Sequence, residues 1–133
     1  MVCLAGMQVL LLAVAFALCP PGPRTTCVVD GDTFWLEGQK VRIADINAPE
    51  THGAACPAER ALGERASRRL VALLNAGAFS LEIEGRASDR YGRALRVVRR
   101  EGRSLGAQLV SEGLAEPWRG RRLDWCAMFA ASG

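Results

Sequence analysis

The sequence predicts one mainly β domain with helices (α+β), built as a five-stranded OB-fold barrel with two or three helices. The chain has 133 residues, half of them apolar, which suits a single packed core. Five short segments alternate in polarity as strands do, and two longer segments between and after them have helical spacing. A five-stranded α+β sandwich has the same order of elements and stays open as the alternative.

The first predicted elements form a three-stranded meander over residues 25–29, 33–37 and 41–46. The first strand is rich in β-branched residues, and Asp30-Gly31 after it is a common hairpin turn. Side chains alternate along the other two segments, as they do in strands that bury one face.

A helix is predicted after the meander, with Pro57 in its first turn and Gly77 at its C-terminal end. Leucine and alanine recur at helical spacing between them, with charged residues on the other face. Residues 79–84 and 94–99 alternate as two further strands. Ser104 then favours the start of a second, shorter helix.

The beginning of the chain differs in composition from the rest. Residues 2–19 are apolar apart from Gln8, and a proline-rich linker follows. We interpret residues 1–23 as a signal peptide or N-terminal membrane anchor plus linker, with a secreted or periplasmic destination. Membrane contact is expected only if this segment is not cleaved. The segment lacks lysine and arginine, so a start codon placed too far upstream stays an alternative.

The remaining chain divides into a folded domain over residues 24–118 and a C-terminal tail over residues 119–133. The tail begins with three arginines within four residues. It is interpreted as a solvated tail, and a basic patch that touches DNA is the alternative.

Five cysteines are present, and we assign Cys3 and Cys19 to the leader. The other three lack the spacing of a zinc site. In an oxidising compartment two of them are expected to pair. We predict the pair Cys56–Cys126, which would join the tail to the start of the first helix and leave Cys27 free.

The net charge of +3 does not by itself indicate a nucleic-acid-binding protein. Seven arginines, however, lie between Arg86 and Arg103, against only Asp89 and Glu101. This basic band is typical of a surface that binds phosphates. Since Lys40 is the only lysine of the chain, an ordinary solvated face rich in arginine is the alternative.

Two clusters of polar residues are candidates for chemistry. Asp30, Asp32 and Thr33 offer hard oxygen ligands at a turn, although Asp-Gly is also an ordinary hairpin turn. Arg42 and Glu50 flank a short rigid loop, where the arginine would hold a phosphate and the glutamate would act as a base. A surface arginine and a loop glutamate are the alternative for the second cluster.

A third cluster runs from Asp89 to Arg93. Gly92 would let a ligand approach the backbone closely, and Tyr91 would stack on a base. A tight turn with a core tyrosine is the alternative. Together the three clusters supply acidic oxygens, a carboxylate base and two arginines, which is the set that phosphodiester hydrolysis requires.

Four blocks of the chain, in this order and spacing, resemble the thermonuclease (staphylococcal-nuclease-like) family. They cover residues 29–34, 41–51, 89–95 and 109–115. The resemblance extends over residues 25–118, and it implies an OB-fold nuclease that depends on calcium. It also implies DNA and RNA as substrates and 3′-phosphate product ends, and it does not point to a protein partner.

The resemblance assigns roles to individual residues. Glu50 would be the general base, acting on a water near the metal. Arg42 and Arg93 would grip the phosphate and stabilise its developing charge. Tyr91 matches a nucleotide-contacting tyrosine, and Arg90 beside it is predicted to bind nucleic acid.

For calcium, the resemblance implies Asp32 as the main ligand and the backbone carbonyl of Ala48 as a second, with Thr33 supporting the water shell. Asn47 stands where the family has a second carboxylate. Its amide oxygen can bind Ca²⁺ but carries no charge, so a lower affinity for calcium is expected. Asp45 is an alternative ligand if the strand bends locally.

A non-catalytic OB-fold module that binds single-stranded nucleic acid is the second hypothesis. The presence of Arg42, Glu50 and Arg93 together favours the enzyme, whereas Asn47 favours the binding module.

Overall fold

The computed structural model describes residues 7–10 and 15–132. Its elements are β1 Met7–Leu10, β2 Cys27–Asp30, β3 Thr33–Leu36, β4 Gln39–Ile43, β5 Ile46–Asn47, α1 Pro57–Asn75, β6 Phe79–Glu82, β7 Ala94–Arg100, β8 Arg103–Ser104, α2 Leu105–Ser111, β9 Glu116–Pro117 and α3 Trp125–Ser132. The five predicted strands are present as β2, β3, β4, β6 and β7, and the mixed α+β class is confirmed.

The main sheet has the order β1-β6-β7-β4-β3-β2, with β8 beside β7. Strands β2, β3 and β4 form the predicted antiparallel meander, and β7 then runs parallel to β4. Strands β5 and β9 pair separately. Among the described residues, no ladder joins the two ends of the main sheet, so the barrel is not closed by hydrogen bonds.

The core lies between the sheet and one face of α1. Leu62, Ala66 and Leu70 of the helix are buried at the predicted spacing, against sheet residues such as Phe34 and Val41. Burying one leucine completely stabilises the fold by about 2 kcal/mol relative to leaving it exposed. This packing fixes α1 beside the turn that follows β2.

Two glycines let α1 approach the functional loops closely. A Cβ atom on Gly63 would lie 2.5 Å from the backbone oxygen of Glu50, and one on Gly31 would lie 2.8 Å from the Cβ of Ala66. Real Cβ contacts of this length do not occur, and a backbone atom cannot turn away as a flexible side chain can. The sequence therefore brings α1 against the loop that carries Glu50.

Part of the segment interpreted as a leader contacts the domain. Strand β1 pairs antiparallel with β6, and the buried Phe16 ring lies 5.8 Å from Phe34 and 6.1 Å from Phe79. Residues 1–6 and 11–14 of the leader prediction lie outside the described residues, and the prediction itself stays open. Within the described part of the chain, no helix is both long and apolar enough to span a membrane.

The predicted disulfide Cys56–Cys126 is confirmed. The prediction that Cys27 is free was wrong, because Cys27 pairs with Cys19. The segment before β2 runs beside that strand, where the Cys19 amide donates a hydrogen bond to the Val28 carbonyl at 2.9 Å. This contact brings the two cysteines together.

The structure also differs from the solvated tail expected after Trp118. Residues Trp125–Ser132 form α3, and Trp125 is only 6% exposed. The Cys56–Cys126 disulfide joins this helix to the residue before α1. The start of α3 is therefore held against α1, whereas residues 119–124 are exposed as expected.

Candidate functional site

The turn between β2 and β3 directs a carboxylate inward. Asp32 is 6% exposed, and its Oδ1 accepts a hydrogen bond from the Thr33 hydroxyl at 2.8 Å. Its Oδ2 accepts one from the Ala48 amide, also at 2.8 Å. Three of the four residues predicted around the metal are thus in direct contact.

Arg42 lies on β4 directly opposite Thr33 of β3. Its Nη1 donates to the carbonyls of Ile43 and Ile46, and its Nη2 lies 3.6 Å from Asp32 Oδ2. Burial lowers the pKa of Arg42, and the nearby Asp32 opposes that effect. A guanidinium stays protonated under these conditions, so the protein holds a buried, fixed positive charge here.

Glu50 is held by a buried glutamate of α1. Its backbone amide donates to Glu59 Oε2 at 3.0 Å, while Glu59 Oε1 accepts from the Ala55 amide at 2.9 Å. Burial raises the pKa of Glu50, the negative charge of Asp30 raises it further, and Arg122 lowers it. A carboxylate with a raised pKa is a stronger base than a free one.

Arg93 and Tyr91 are positioned by a single carboxylate. Asp89 accepts from the Arg93 amide at 3.0 Å, from Arg93 Nε at 2.7 Å and from the Tyr91 amide at 2.9 Å. Burial alone would raise the pKa of Asp89, but these hydrogen bonds outweigh it and the pKa is lowered. The loop therefore fixes Arg93 through an ionised aspartate.

Tyr91 is 67% exposed, so the alternative of a core tyrosine was wrong. The guanidinium groups of Arg90 and Arg93 lie 5.0 and 5.3 Å from its ring centre. Arg90 Nη2 also donates to the Tyr91 hydroxyl at 2.8 Å. An exposed ring flanked by cations suits contact with a nucleotide.

Four of the predicted side chains line one cleft of about 620 Å³. Arg42 and Arg93 line it with Tyr91 and Arg90, and Glu50 reaches its edge through an ion pair with a lining arginine. The negative charges of Asp32 and Glu50 raise the pKa of Arg42, and the positive charge of Arg93 lowers it. The buried carboxylate of Asp32 and the carboxylate of Glu50, whose pKa is raised, therefore lie next to arginines that line the cleft.

Comparison with known proteins agrees with this geometry. The family described as staphylococcal nuclease homologue matches residues 40–123, more than half of the chain. The chain belongs to the staphylococcal nuclease family. The resemblance drawn from the four sequence blocks is therefore confirmed.

Two curated relatives of the family come from Bacillus subtilis (strain 168). Endonuclease YncB is 39% identical over 93 residues, which cover 65% of this chain and 43% of the relative. The SPbeta prophage-derived endonuclease YokF is 39% identical over 93 residues, covering 65% and 31%. The chain spans less than half the length of these relatives.

Two site residues were missed by the sequence analysis. Arg122 Nη1 lies 2.6 Å from Glu50 Oε1, and the Arg42 guanidinium lies 5.7 Å from the centre of the Trp118 ring. Both line the cleft. The run of arginines after Trp118 was the only signal, and it was interpreted mainly as a solvated tail.

Residues 116–126, which we call the C-terminal segment, are anchored by Glu116. This buried glutamate accepts from the Leu123 amide at 3.0 Å. The Asn47 side-chain amide also lies 3.5 Å from its Oε2. The residue that replaces a family carboxylate is therefore placed directly against another carboxylate.

Asp45 does not take the place of the missing carboxylate. Its Oδ2 accepts a hydrogen bond from the Ser104 hydroxyl at 2.6 Å, at the start of α2. A Cβ atom on Gly106 would lie 2.7 Å from Asp45 Oδ1, so the side chain is packed against that helix. The alternative in which Asp45 joins the metal site was wrong.

The chemistry of the residues predicted as metal ligands suits a hard cation. Asp32 supplies a carboxylate, Asn47 an amide and Ala48 a backbone carbonyl, and all three residues are buried. These oxygens are of the kind that Ca²⁺ prefers, but they carry a single negative charge. Among residues 7–10 and 15–132, no group of three or more His, Cys, Asp or Glu side chains is placed to hold a metal.

Proposed function

We propose that this protein is a calcium-dependent nuclease that hydrolyses phosphodiester bonds of DNA and RNA and leaves 3′-phosphate ends. The observation that carries the proposal is a cleft lined by Arg42 and Arg93, with Asp32 and Glu50 each paired to an arginine of that lining. Membership of the staphylococcal nuclease family supports it. The chain's similarity to YncB and YokF, which are both named as endonucleases, supports it as well.

In this proposal Glu50 removes a proton from the water that attacks phosphorus. Its raised pKa makes the carboxylate a better proton acceptor. The bond from phosphorus to the 5′ oxygen then breaks, the 5′ oxygen takes up a proton from solvent and leaves as a 5′ hydroxyl, and the phosphate stays on the 3′ side. Arg42 and Arg93 stabilise the negative charge that develops on the phosphate oxygens, because both guanidinium groups are already held in position.

Asp32, Asn47 and the Ala48 carbonyl would hold Ca²⁺, and the Thr33 hydroxyl would support its waters. A bound calcium ion supplies positive charge that polarises the phosphate and lowers the pKa of nearby water. Since Asn47 brings no charge, the calcium requirement is expected to be higher than with two carboxylates.

The test is degradation of plasmid DNA and of single-stranded RNA with added calcium or with chelator. We expect both polymers to shorten only with calcium. The product ends should accept a further nucleotide only after phosphatase treatment, because a 3′-phosphate blocks extension.

The second candidate is a module that binds single strands without cleaving them. Asn47 and the exposed Tyr91 favour it. If the protein slows DNA in a gel but never shortens it, at any calcium concentration, the binding module replaces the nuclease.

We further propose that the protein works in an oxidising compartment after export. Two disulfides support this, because such bonds persist mainly outside the reducing cytosol. Non-reducing mass measurement of exported protein tests it. Four free thiols at Cys19, Cys27, Cys56 and Cys126 would contradict the proposal.

A further inference from the structure

The ion pair between Arg122 and Glu50 places another arginine of the cleft against the proposed base. Arg122 Nη1 lies 2.6 Å from Glu50 Oε1, and the arginine side chain is 63% exposed against 26% for the glutamate. The contact joins residues 72 positions apart. In the protein without substrate, the Glu50 carboxylate that is proposed as the base is therefore already paired with a cation.

Three of the arginines that line the cleft differ in how many of their N–H donors the protein already uses. Arg42 Nη1 donates to two backbone carbonyls, and Arg93 Nε donates to Asp89. For the Arg122 guanidinium, the hydrogen bond to Glu50 is the one found among the described residues. Because a guanidinium has five N–H groups, Arg122 has most of its donors available for a ligand.

The backbone around Arg122 is held, whereas its side chain faces solvent. The next residue, Leu123, donates its amide to the buried Glu116 at 3.0 Å. Cys126, four residues on, is bonded to Cys56. The side chain can therefore turn from Glu50 towards the cleft without moving the segment that carries it.

A phosphate in the cleft would compete with Glu50 for this side chain. Arg122 and Arg93 each lower the pKa of Arg42, because they carry the same positive charge. An anion that binds among the three guanidinium groups relieves this repulsion, so its entry is favourable. Charge-assisted bonds from arginine to phosphate are commonly paired and strong. When Arg122 leaves Glu50, the carboxylate is free to accept a proton from water.

We infer that Arg122 is a third phosphate-contacting arginine, which pairs with Glu50 in the free protein and transfers to the substrate phosphate when nucleic acid binds. The inference rests on the proposed function, since it takes a phosphodiester as the ligand and Glu50 as the base. It adds a residue from the C-terminal segment to the contacts that hold the scissile phosphate.

The decisive measurement uses Glu50→Gln as the background, because this variant has no ion pair to lose. Binding of a short fluorescent single-stranded oligonucleotide is followed in chelator over a range of salt concentrations. Adding Arg122→Gln should weaken binding roughly tenfold and reduce the slope of log affinity against log salt by about 0.7, the value for one phosphate contact on a single strand.

The matched control is Arg121→Gln in the same background. Arg121 is a neighbour that is also exposed and that does not line the cleft. Its slope should change clearly less. Equal slopes for the two variants would overturn the inference while leaving the nuclease intact, whereas a wild-type protein that neither binds nor cleaves nucleic acid would overturn the proposed function and the inference together.

Kinetics with Glu50 present give a second, independent readout. Arg122→Gln should raise KM and lower kcat/KM, and Arg122→Lys should restore part of the loss because it keeps the charge but not the paired geometry. Melting temperatures show that each variant is folded. An increase of kcat/KM in Arg122→Gln would mean that the arginine only blocks Glu50, and the inference would be wrong.

Discussion

The two sides of the cleft are held in place in different ways. On the side formed by the sheet, Asp32 and Arg42 are buried and bonded to nearby backbone or to adjacent strands. On the side formed by the C-terminal segment, Trp118 and Arg122 are exposed. The Trp118 amide donates to the Asp45 carbonyl at 3.0 Å, and the backbone beyond Arg122 is held by Glu116 and by the Cys56–Cys126 disulfide.

This difference indicates separate contributions to the reaction. Fixed charges that need no rearrangement stabilise a transition state most effectively. Exposed side chains on a held backbone can adapt to a substrate and release it. We therefore expect changes on the sheet side to lower kcat and changes in the C-terminal segment to act mainly on KM.

The largest effect is expected from Glu50→Gln, which removes the base and keeps the shape of the side chain. Turnover should fall by roughly 10³-fold, the usual size of a general-base contribution, while DNA binding persists. Glu64→Gln, an exposed change on α1, is the control and should retain activity. Turnover within tenfold of the wild type would show that Glu50 is not the base.

The two disulfides are expected to differ when each is replaced by a pair of serines. Cys56–Cys126 closes a separation of 70 residues and Cys19–Cys27 one of 8. Chain entropy then gives losses of about 4 and about 2.5 kcal/mol in the free energy of unfolding. Denaturant titration measures both.

Activity gives the sharper comparison between these two variants. Only the loss of Cys56–Cys126 removes one of the anchors of the C-terminal segment, so only that variant should show a raised KM in conditions where both are folded. If both variants keep the wild-type KM, the disulfide does not position this side of the cleft.

The sheet side could be predicted from the sequence because its information is local. Asp32, Arg42, Glu50 and Arg93 lie in short blocks whose turns and alternation define the surrounding strands. The alternation of residues 41–46 placed Arg42 on β4, and Pro57 marked the start of α1.

The C-terminal segment could not be predicted in the same way. Its contacts join residues about half the chain apart, such as Arg122 with Glu50 and Asn47 with Glu116, and no periodicity encodes them. Only the Cys56–Cys126 pair gave a long-range signal. Assigning Cys19 to a leader removed the partner of Cys27 from consideration, which caused the one wrong cysteine prediction.

Gly63→Ala should displace the loop that carries Glu50, because Gly63 of α1 packs directly against the backbone of that loop. Alanine favours a helix over glycine by about 1 kcal/mol, but its Cβ would lie 2.5 Å from the Glu50 carbonyl oxygen. The loop must therefore shift, and activity should fall roughly 10- to 100-fold, because misplacing a reacting group by about 1 Å costs this much.

The control for this change is Gly77→Ala, just after α1. There the new Cβ would meet only the Arg100 side chain, at 3.4 Å, and a flexible side chain can yield. Wild-type kcat in Gly63→Ala, with an unchanged melting temperature, would show that the loop position does not depend on this contact.

The smallest effect is expected from Asn47→Asp, where the two sides of the cleft meet. A second carboxylate beside Asp32 should lower the calcium concentration for half-maximal activity severalfold. The same carboxylate would face the buried Glu116, and without calcium this repulsion should lower the melting temperature by about 5 °C. Added calcium should restore it.

Glu116→Gln in the Asn47→Asp background separates these two consequences. It removes the like charge, so the melting temperature without calcium should recover, while the stabilisation by calcium remains. Thermal melts with calcium and with chelator measure both effects without relying on activity. If Asn47→Asp changes neither the calcium requirement nor the calcium dependence of melting, residue 47 does not contact the metal, and Glu116 holds Asn47 only to anchor the C-terminal segment.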